Sequence, residues 1–401
     1  MRITHVITRL VVGGAQENTV ASVLGLNRIP GVESHLISGL THGPEGTIEG
    51  QLAGSPGVLT LLPSLVRPVR PWLDARAWQS LTSHFRKTSP DIVHTHSGKA
   101  GIVGRFAART ARVPLVLHTI HGPSFGPFQG PFANALFRNA ERLAGKITDH
   151  FVVVAHAMAR QYLAAGIGRP EDFTRIWSGF DLDPFLNASN DIALRASLGL
   201  SDSDFVVGKV ARLFENKGHD DLIDAAPDLV RDLPSIRFLL VGDGADRNRL
   251  HNRITSLGLS RFFIFTGLVP PEQVCRYVGL MDVLVHLSRR EGLARALPQA
   301  LAASRPVVAY DCDGASEVCI NGRTGFLVPP GNRTALKERL LLLSRDIGLR
   351  QQLGRHGREL VQDGFPLSRM IQDLHALYRR LLDRSSSRRP TSPFLASQHR
   401  S

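Results

Sequence analysis

Short apolar runs alternate with stretches of helical periodicity along most of the chain. The apolar runs predict strands at 2–7, 33–38, 58–62, 91–94, 115–119, 151–154, 205–210, 236–241, 262–265, 283–286, 306–309 and 326–328. Between many of them, apolar residues at helical spacing predict helices at 98–111, 133–146, 157–165, 217–231 and 291–303. Such alternation is typical of parallel, doubly wound α/β sheets.

The alternation is interrupted after Ser178 and begins again at Phe205, and a polar stretch separates the two parts. A chain of 401 residues is also too long for one compact core. We therefore predict two Rossmann-like domains with a cleft between them. Their predicted limits are 1–185 for the first domain, 186–204 for a hinge, 205–365 for the second domain, 366–382 for a last helix and 383–401 for a disordered basic tail.

Composition narrows the class of protein. A hydrophobic content of 43% and a charged content of 21% are typical of a soluble globular protein. No apolar run reaches the ~20 residues that span a bilayer, and the first apolar stretch reads as a strand and not as a signal peptide. Three cysteines without metal-ligand spacing suit a reducing cytoplasm.

The formal charge of +13 calls for an anionic partner. Residues 1–180 carry 18 Lys and Arg against 10 Asp and Glu, so more of the excess lies in the first half. Nucleic acid, an anionic membrane and a phosphorylated substrate would each fit. No zinc-finger, helix-turn-helix or RNA-binding signature occurs and aromatic residues make up only 6%, so nucleic-acid binding is not expected.

Several residues at predicted strand ends could bind a phosphorylated ligand. Gly13 and Gly14 follow the first strand, where they let the backbone approach a ligand closely. Arg212 and Lys217 flank the loop after the first strand of the second half, and together they suit a diphosphate. Glu291 is predicted to begin a helix, with its carboxylate placed to accept hydrogen bonds from sugar hydroxyls.

Four histidines, His94, His96, His118 and His121, also stand at strand ends. Zinc is one interpretation, but no carboxylate or cysteine accompanies them, and no metal site is expected. Hydrogen bonding to a sugar hydroxyl or to the backbone is the preferred interpretation. His94 and His118 fall inside apolar runs, so we expect them to be structural.

Taken in order, these segments resemble glycosyltransferase family 4, the retaining nucleotide-sugar transferases. The similarity runs from the glycine loop to the last helix and is strongest over 205–332. The motifs that carry it are Gly-Gly at 13–14, Thr-Ile-His-Gly at 119–122, Arg-x4-Lys-Gly at 212–218, Gly-Asp-Gly at 242–244, Glu-Gly at 291–292 and Gly-Phe-Leu-Val-Pro-Pro-Gly at 325–331. The resemblance implies two Rossmann-like domains of the GT-B type, a last helix that crosses back to the first domain, and no metal or other cofactor.

The resemblance also implies roles for individual residues. Its diphosphate-binding set corresponds to Arg212, Lys217, Gly13 and Gly14, and its catalytic residues correspond to His121 and Glu291. The backbone at Gly292, Leu293 and Ala294 is expected near the donor sugar and phosphate, and Val269 near the base. The family has a glutamate for the ribose where this chain has Gln299, which can hydrogen-bond but carries no charge. We expect altered or weaker ribose binding there.

The function that the resemblance implies is retaining transfer of a sugar from a UDP- or GDP-sugar to a glycan or lipid-linked acceptor, in cell-surface polysaccharide or lipid-linked glycan synthesis. A basic, aromatic segment at 122–146 and another at 67–78 could rest on an anionic membrane. The expected location is the cytoplasm, peripheral on the inner face of the membrane. A nucleotide-sugar epimerase, a non-catalytic nucleotide-sugar-binding protein and a nucleic-acid-binding surface protein remain as alternatives.

Overall fold

The chain builds two parallel sheets, as a computed structural model that describes residues 1–43, 46–126 and 128–387 shows. The strands of the first sheet are β1 (Arg2–Ile7), β2 (Glu33–Ser38), β3 (Leu59–Leu61), β4 (Ile92–His96), β5 (Leu115–Ile120), β6 (His150–Val153) and β7 (Phe173–Arg175). The strands of the second sheet are β8 (Phe205–Val210), β9 (Ile236–Val241), β10 (Phe263–Phe265), β11 (Val283–His286), β12 (Val307–Tyr310) and β13 (Gly325–Val328).

Both sheets are doubly wound. The strand order is β3-β2-β1-β4-β5-β6-β7 in the first sheet and β10-β9-β8-β11-β12-β13 in the second. The winding direction therefore reverses between β1 and β4, and again between β8 and β11. Loops that leave the carboxyl ends of strands at such a reversal turn away from each other and leave a crevice for a ligand. The predicted pair of Rossmann-like sheets is confirmed.

Helices cover the faces of both sheets. In the first domain they are α1 (Gly14–Leu26), α2 (Pro71–Thr88), α3 (Gly98–Thr110), α4 (Pro131–Gly145) and α5 (His156–Ala164). The short α6 (Asp183–Leu186) and α7 (Ile192–Ser197) follow, and α7 lies within the predicted hinge. The remaining helices are α8 (His219–Asp232), α9 (Arg247–Ser256), α10 (Val274–Gly279), α11 (Ala296–Ala302), α12 (Arg333–Arg345), α13 (Ile347–Gly364) and α14 (Leu367–Ser387).

Strand burial explains why the sequence shows continuous apolar runs. All six residues of β5 are buried, because helices cover both faces of a parallel sheet. The strand β7 was missed in the sequence. It has only three residues, all half-buried, at the edge of the first sheet, so neither an apolar run nor an alternation marks it.

The last helix, α14, belongs structurally to the first domain. Its buried residues pack against Ile3 of β1 and Leu26 of α1, among others, and the α14 residues of that core are Met370, Ile371, Leu374, Leu377, Tyr378 and Leu381. The chain returns through main-chain bonds of Phe180, whose N–H donates to the carbonyl of Phe365 and whose carbonyl accepts from the N–H of Leu367. The expected crossing of the last helix is confirmed.

The helix is longer than predicted, because α14 continues to Ser387. The first residues of the predicted tail are therefore helical, while the rest of that tail, 388–401, lies outside the described residues. The sheets fall within 1–185 and 205–365, and the domain limits themselves stay a prediction.

Truncation of Leu374 should expose how much α14 contributes to the first domain. Leu374 is 4% exposed within that core, so Leu374→Ala should lower the free energy of unfolding by about 2–4 kcal/mol through lost burial and a residual cavity. Urea denaturation monitored by circular dichroism measures this free energy of unfolding. The exposed Arg379 on the same helix provides the control variant Arg379→Ala, and equal stability of the two variants would contradict the packing described here.

Candidate active site

Loops from both sheets meet at the two reversals of strand order. The carbonyl oxygen of His121, just after β5, lies so close to Gly292 that a Cβ at residue 292 would overlap it. Arg295 forms an ion pair with Glu17 of α1 across the same crevice, at 2.5 Å, and both side chains are largely buried. The predicted site residues of the two domains therefore face one another.

Lys217 and Glu291 form an ion pair at this place, and Ser288 Oγ donates to the same carboxylate oxygen at 3.3 Å. Burial acts to raise the pKa of Glu291, but the charge of Lys217, its hydrogen bond to the carboxylate and the nearby His286 and Arg212 together lower the pKa overall. The carboxylate is thus charged near neutral pH. It is 30% exposed, which leaves it accessible from the crevice.

The pair depends on a close approach of two loops. Gly218 has φ of 69° and lies against the carbonyl of Leu287, where any Cβ would overlap the main chain. Arg289 N also donates to the carbonyl of Asn216, at 3.0 Å. A glycine is therefore required at 218 to bring the loop after β8 against the end of β11.

Glu291 does not begin a helix, so the predicted helix at 291–303 is wrong in its first five residues. The helix α11 begins at Ala296. Neighbouring groups hold the preceding segment in a loop: Glu291 N donates to Asp313 Oδ2 at 2.7 Å, and Gly292 O accepts from Gly314 N at 2.9 Å. The backbone of 292–294 reaches the crevice as a loop and not as a first helical turn.

The other predicted site residues differ in their position and in their exposure to solvent. Arg212 lies in the loop after β8, with its guanidinium over the ring of Phe214 at 5.2 Å. Gly14 begins α1, and a Cβ there would lie 3.2 Å from Arg295 Cδ. Val269 is 7% exposed and packs in the core, so a contact with a base would need its main-chain atoms. Gln299 is partly exposed on α11.

Sequence reasoning missed a buried lysine beside the pair. Lys209, on β8, is 1% exposed, and its Nζ has no hydrogen-bond partner among the described residues. Burial lowers its pKa to about 7, and the nearby charge of Lys217 acts in the same direction. A lysine inside the apolar run of β8 was the signal that could have found it.

The position of each histidine along its strand decides on which face of the first sheet its side chain lies. His94 and His96 are two residues apart on β4 and lie on one face of the sheet, while His118 is in register with Thr95 and lies on the opposite face. His94 contacts Tyr378 Oη at 2.5 Å and Thr119 Oγ1 at 2.6 Å, whereas His118 Nδ1 lies 2.9 Å from Thr95 Oγ1. These buried contacts fit the structural role expected for both.

His5 of β1 joins this group and was not predicted. It is in register with His94, and its Nδ1 lies 2.9 Å from His96 Nε2. His96 Nδ1 in turn lies 3.0 Å from Nε2 of His121 at the crevice. The signal for His5 in the sequence was a histidine at a core-facing position of β1.

One histidine group has metal-like proximity within the described part of the chain: ring nitrogens of His5, His94 and His96 lie within 4.8 Å of one another. The chemistry of the set does not fit an ion well. His94 already contacts a tyrosine and a threonine through its two nitrogens, and His5 and His96 contact each other. No carboxylate belongs to the group.

The sequence of this chain matches models of known protein families and the sequence of a related protein. A family model described as Glycosyltransferase Family 4 matches residues 12–184, and one described as Glycosyl transferases group 1 matches residues 190–360. A putative glycosyltransferase of Bacillus subtilis, EpsD, is 30% identical over 301 residues, which cover 73% of this chain and 77% of that protein.

Two further similarities extend over most of the chain. The Escherichia coli UDP-Gal:alpha-D-GlcNAc-diphosphoundecaprenol alpha-1,3-galactosyltransferase is 28% identical over 79% of this chain and 82% of its own length. The crystal structure of Anabaena HepE in complex with UDP-glucose superposes with a TM-score of 0.79 at 24% identity, covering 95% of this chain and all of HepE. The chain belongs to glycosyltransferase family 4 and is a nucleotide-sugar glycosyltransferase.

The buried histidines predict that stability falls in mild acid. Burial lowers the pKa of His5, His219 and His286 to about 3 from the usual 6.5. Below pH 6.5 these histidines bind more protons in the unfolded chain than in the folded one. Their contribution to stability is therefore fully present above pH 6.5 and is lost as the pH falls toward 3. Each such histidine should contribute about 1.4 kcal/mol per pH unit.

Urea titrations at pH 7.5, 6.0 and 5.0 measure this dependence above the range where most carboxylates titrate. The variant His286→Gln removes one of these groups and should show a shallower slope than the wild type. Equal free energies of unfolding at pH 7.5 and 5.0 in the wild type would contradict the neutral, buried state of these rings.

Proposed function

We propose that Arg212 and Lys217 bind the diphosphate of a UDP- or GDP-sugar, while Glu291 and His121 orient its sugar. The observation that carries this proposal is the Lys217–Glu291 pair, held at the strand reversal of the second sheet and faced by His121 from the first. A bound diphosphate competes with Glu291 for Lys217. The released carboxylate then accepts hydrogen bonds from sugar hydroxyls.

The proposed chemistry is transfer with retention. The bond between the anomeric carbon and the diphosphate oxygen breaks, and the acceptor hydroxyl attacks from the same face. Its proton passes to an oxygen of the departing phosphate. Arg212, Lys217 and main-chain N–H groups at 292–294 stabilise the negative charge that develops, and Gly13 and Gly14 let the first domain approach the phosphates.

Neutral replacement of the two cations tests the donor site. Arg212→Met and Lys217→Met should each weaken donor binding about tenfold to a hundredfold, since each removes a charge-assisted hydrogen bond to phosphate. Donor affinity is measured by titrating each protein with several UDP- and GDP-sugars and recording the melting temperature, which a bound donor raises. The exposed Arg231 at the end of α8 supplies the control variant Arg231→Met.

Transfer by the wild type should be measured with excess chelator present, because the proposed charge stabilisation uses side chains and needs no divalent ion. Unchanged donor affinity in both cation variants, or activity lost to chelator and restored by a divalent ion, would overturn the proposal.

The acceptor is proposed to be glycan or lipid-linked, with the enzyme peripheral on the inner face of a membrane. Within the described residues no helix is long and apolar enough to cross a bilayer. The helix α4 instead exposes an apolar row: Phe132 is 83% exposed, Leu136 53% and Leu143 58%. Exposed Arg142 and Lys146 flank the end of this row. Such a face suits the surface of an anionic membrane.

Liposome flotation tests the membrane proposal. The protein should float with vesicles that contain an anionic phospholipid, and the double variant Phe132→Ser with Leu136→Ser should stay in solution because its apolar face is lost. Ile192→Ser is the matched control, since Ile192 is 75% exposed on α7 and lies outside this face. Equal recovery of the wild type in the soluble fraction with and without anionic lipid would contradict the proposed membrane binding.

A further inference from the structure

Three imidazole rings form a line from the crevice into the core of the first domain. His121 Nε2 lies 3.0 Å from His96 Nδ1, and His96 Nε2 lies 2.9 Å from His5 Nδ1. The rings meet edge to edge, with centroids 5.3 Å apart and planes inclined by 28° for the outer pair, and 5.2 Å and 19° for the inner pair. His96 and His5 are 1% and 0% exposed. We call these three residues the histidine line.

Each member of the line is a neutral imidazole near neutral pH. Burial lowers the pKa of His5 to about 3 and that of His121 to about 4, and it holds the pKa of His96 well below its usual value. A neutral imidazole carries one ring proton, so one nitrogen donates and the other accepts. Two hydrogen bonds then fix all three tautomers together, and only two directions of the line exist.

The inner end of the line distinguishes the two directions. His5 Nε2 is buried and has no hydrogen-bond partner among the described residues. If the bonds run inward from His121, this nitrogen carries a buried proton with no acceptor. If they run outward from His5, it is an unprotonated nitrogen, and His5 Nδ1–H donates to His96. Buried N–H groups without an acceptor are rarer in proteins than unfilled acceptors.

We propose that His5 and His96 are positioning residues that hold His121 in its Nδ1–H tautomer, so that it presents a hydrogen-bond donor to the crevice. His96 Nδ1–H occupies the lone pair of His121 Nε2, and the remaining ring nitrogen of His121 carries the proton. The ligand group it meets is an oxygen of the donor sugar, which rests on the proposed function. His121 in this state cannot accept the proton of the acceptor hydroxyl.

The surroundings keep the line in place. The ring of His94 stacks on that of His96, with centroids 4.5 Å apart, and is itself held by Tyr378 of α14 and Thr119 of β5. The middle ring of the line is therefore packed from the side by a histidine that does not belong to it. Orientation of His121 should depend on His96 much more than on buried histidines elsewhere in the sheet.

The tautomer can be measured without any assay of transfer. Protein labelled with ¹⁵N in the histidine rings gives two-bond ¹H–¹⁵N correlations whose pattern separates the two neutral tautomers, and a His121→Gln variant assigns the signal. We expect a protonated Nδ1 and an unprotonated Nε2 for His121 in the donor-free protein at pH 7.5. A protonated Nε2 on His121 would overturn the proposal, whatever the enzyme transfers.

Substitution of His96 gives a second, kinetic readout. His96→Leu should lower kcat about tenfold to a hundredfold through misorientation of His121, and the His121 signal should become a mixture of tautomers. His96→Gln, which keeps a donor and an acceptor, should recover part of both. His118→Leu is the matched control, because His118 is equally buried in the same sheet but lies on the opposite face. It should lose similar stability with kcat within about twofold.

The outcomes separate this proposal from the proposed function. If the expected tautomer appears but no nucleotide sugar serves as donor, the proposed function fails and the line stands. If transfer is efficient and His96→Leu matches His118→Leu in kcat, with the His121 signal unchanged, the positioning role is wrong while the transferase remains.

Discussion

Lys217 and Glu291 come from different parts of the chain, and their pairing is the contact on which the site depends. Strand order places the loops after β8 and β11 side by side at the reversal of the second sheet. The left-handed backbone of Gly218 then lets these loops touch, so that the two side chains meet. Without a ligand, each charge offsets the burial of the other. In the proposed function, Lys217 binds the diphosphate of the donor and Glu291 binds its sugar.

The first domain contributes to this site through its interior as much as through its surface. His121 reaches the crevice at the end of β5, and its ring contacts that of His96, which in turn contacts that of His5. Parity along the strands decides which histidines can take part. Residues of β4 two apart lie on the face that carries the line, whereas His118, one strand over, lies on the other face.

Much of the fold could be predicted from the sequence because parallel strands covered on both faces appear as apolar runs. The short edge strand β7 was missed for the converse reason: it has three half-buried residues and hence no pattern. The segment at 291–295 has the composition of a helix start, but hydrogen bonds with the carboxylate of Asp313 and the main-chain N–H of Gly314 hold it as a loop. His5 escaped notice because its partners lie some ninety residues away, and only the sheet brings them together. Lys209 was overlooked because its setting depends on the same kind of tertiary contact.

The packing of α14 also has a consequence for the order in which the molecule is made. The first domain lacks part of its core until residues near the carboxyl end of the chain arrive, because α14 fills the space beside β1 and α1. During synthesis on the ribosome, the second domain emerges with all the strands of its sheet well before the first domain can receive its last helix. The first domain therefore keeps an apolar face uncovered until α14 has been made. Although this domain is synthesised before the second one, it is completed after it.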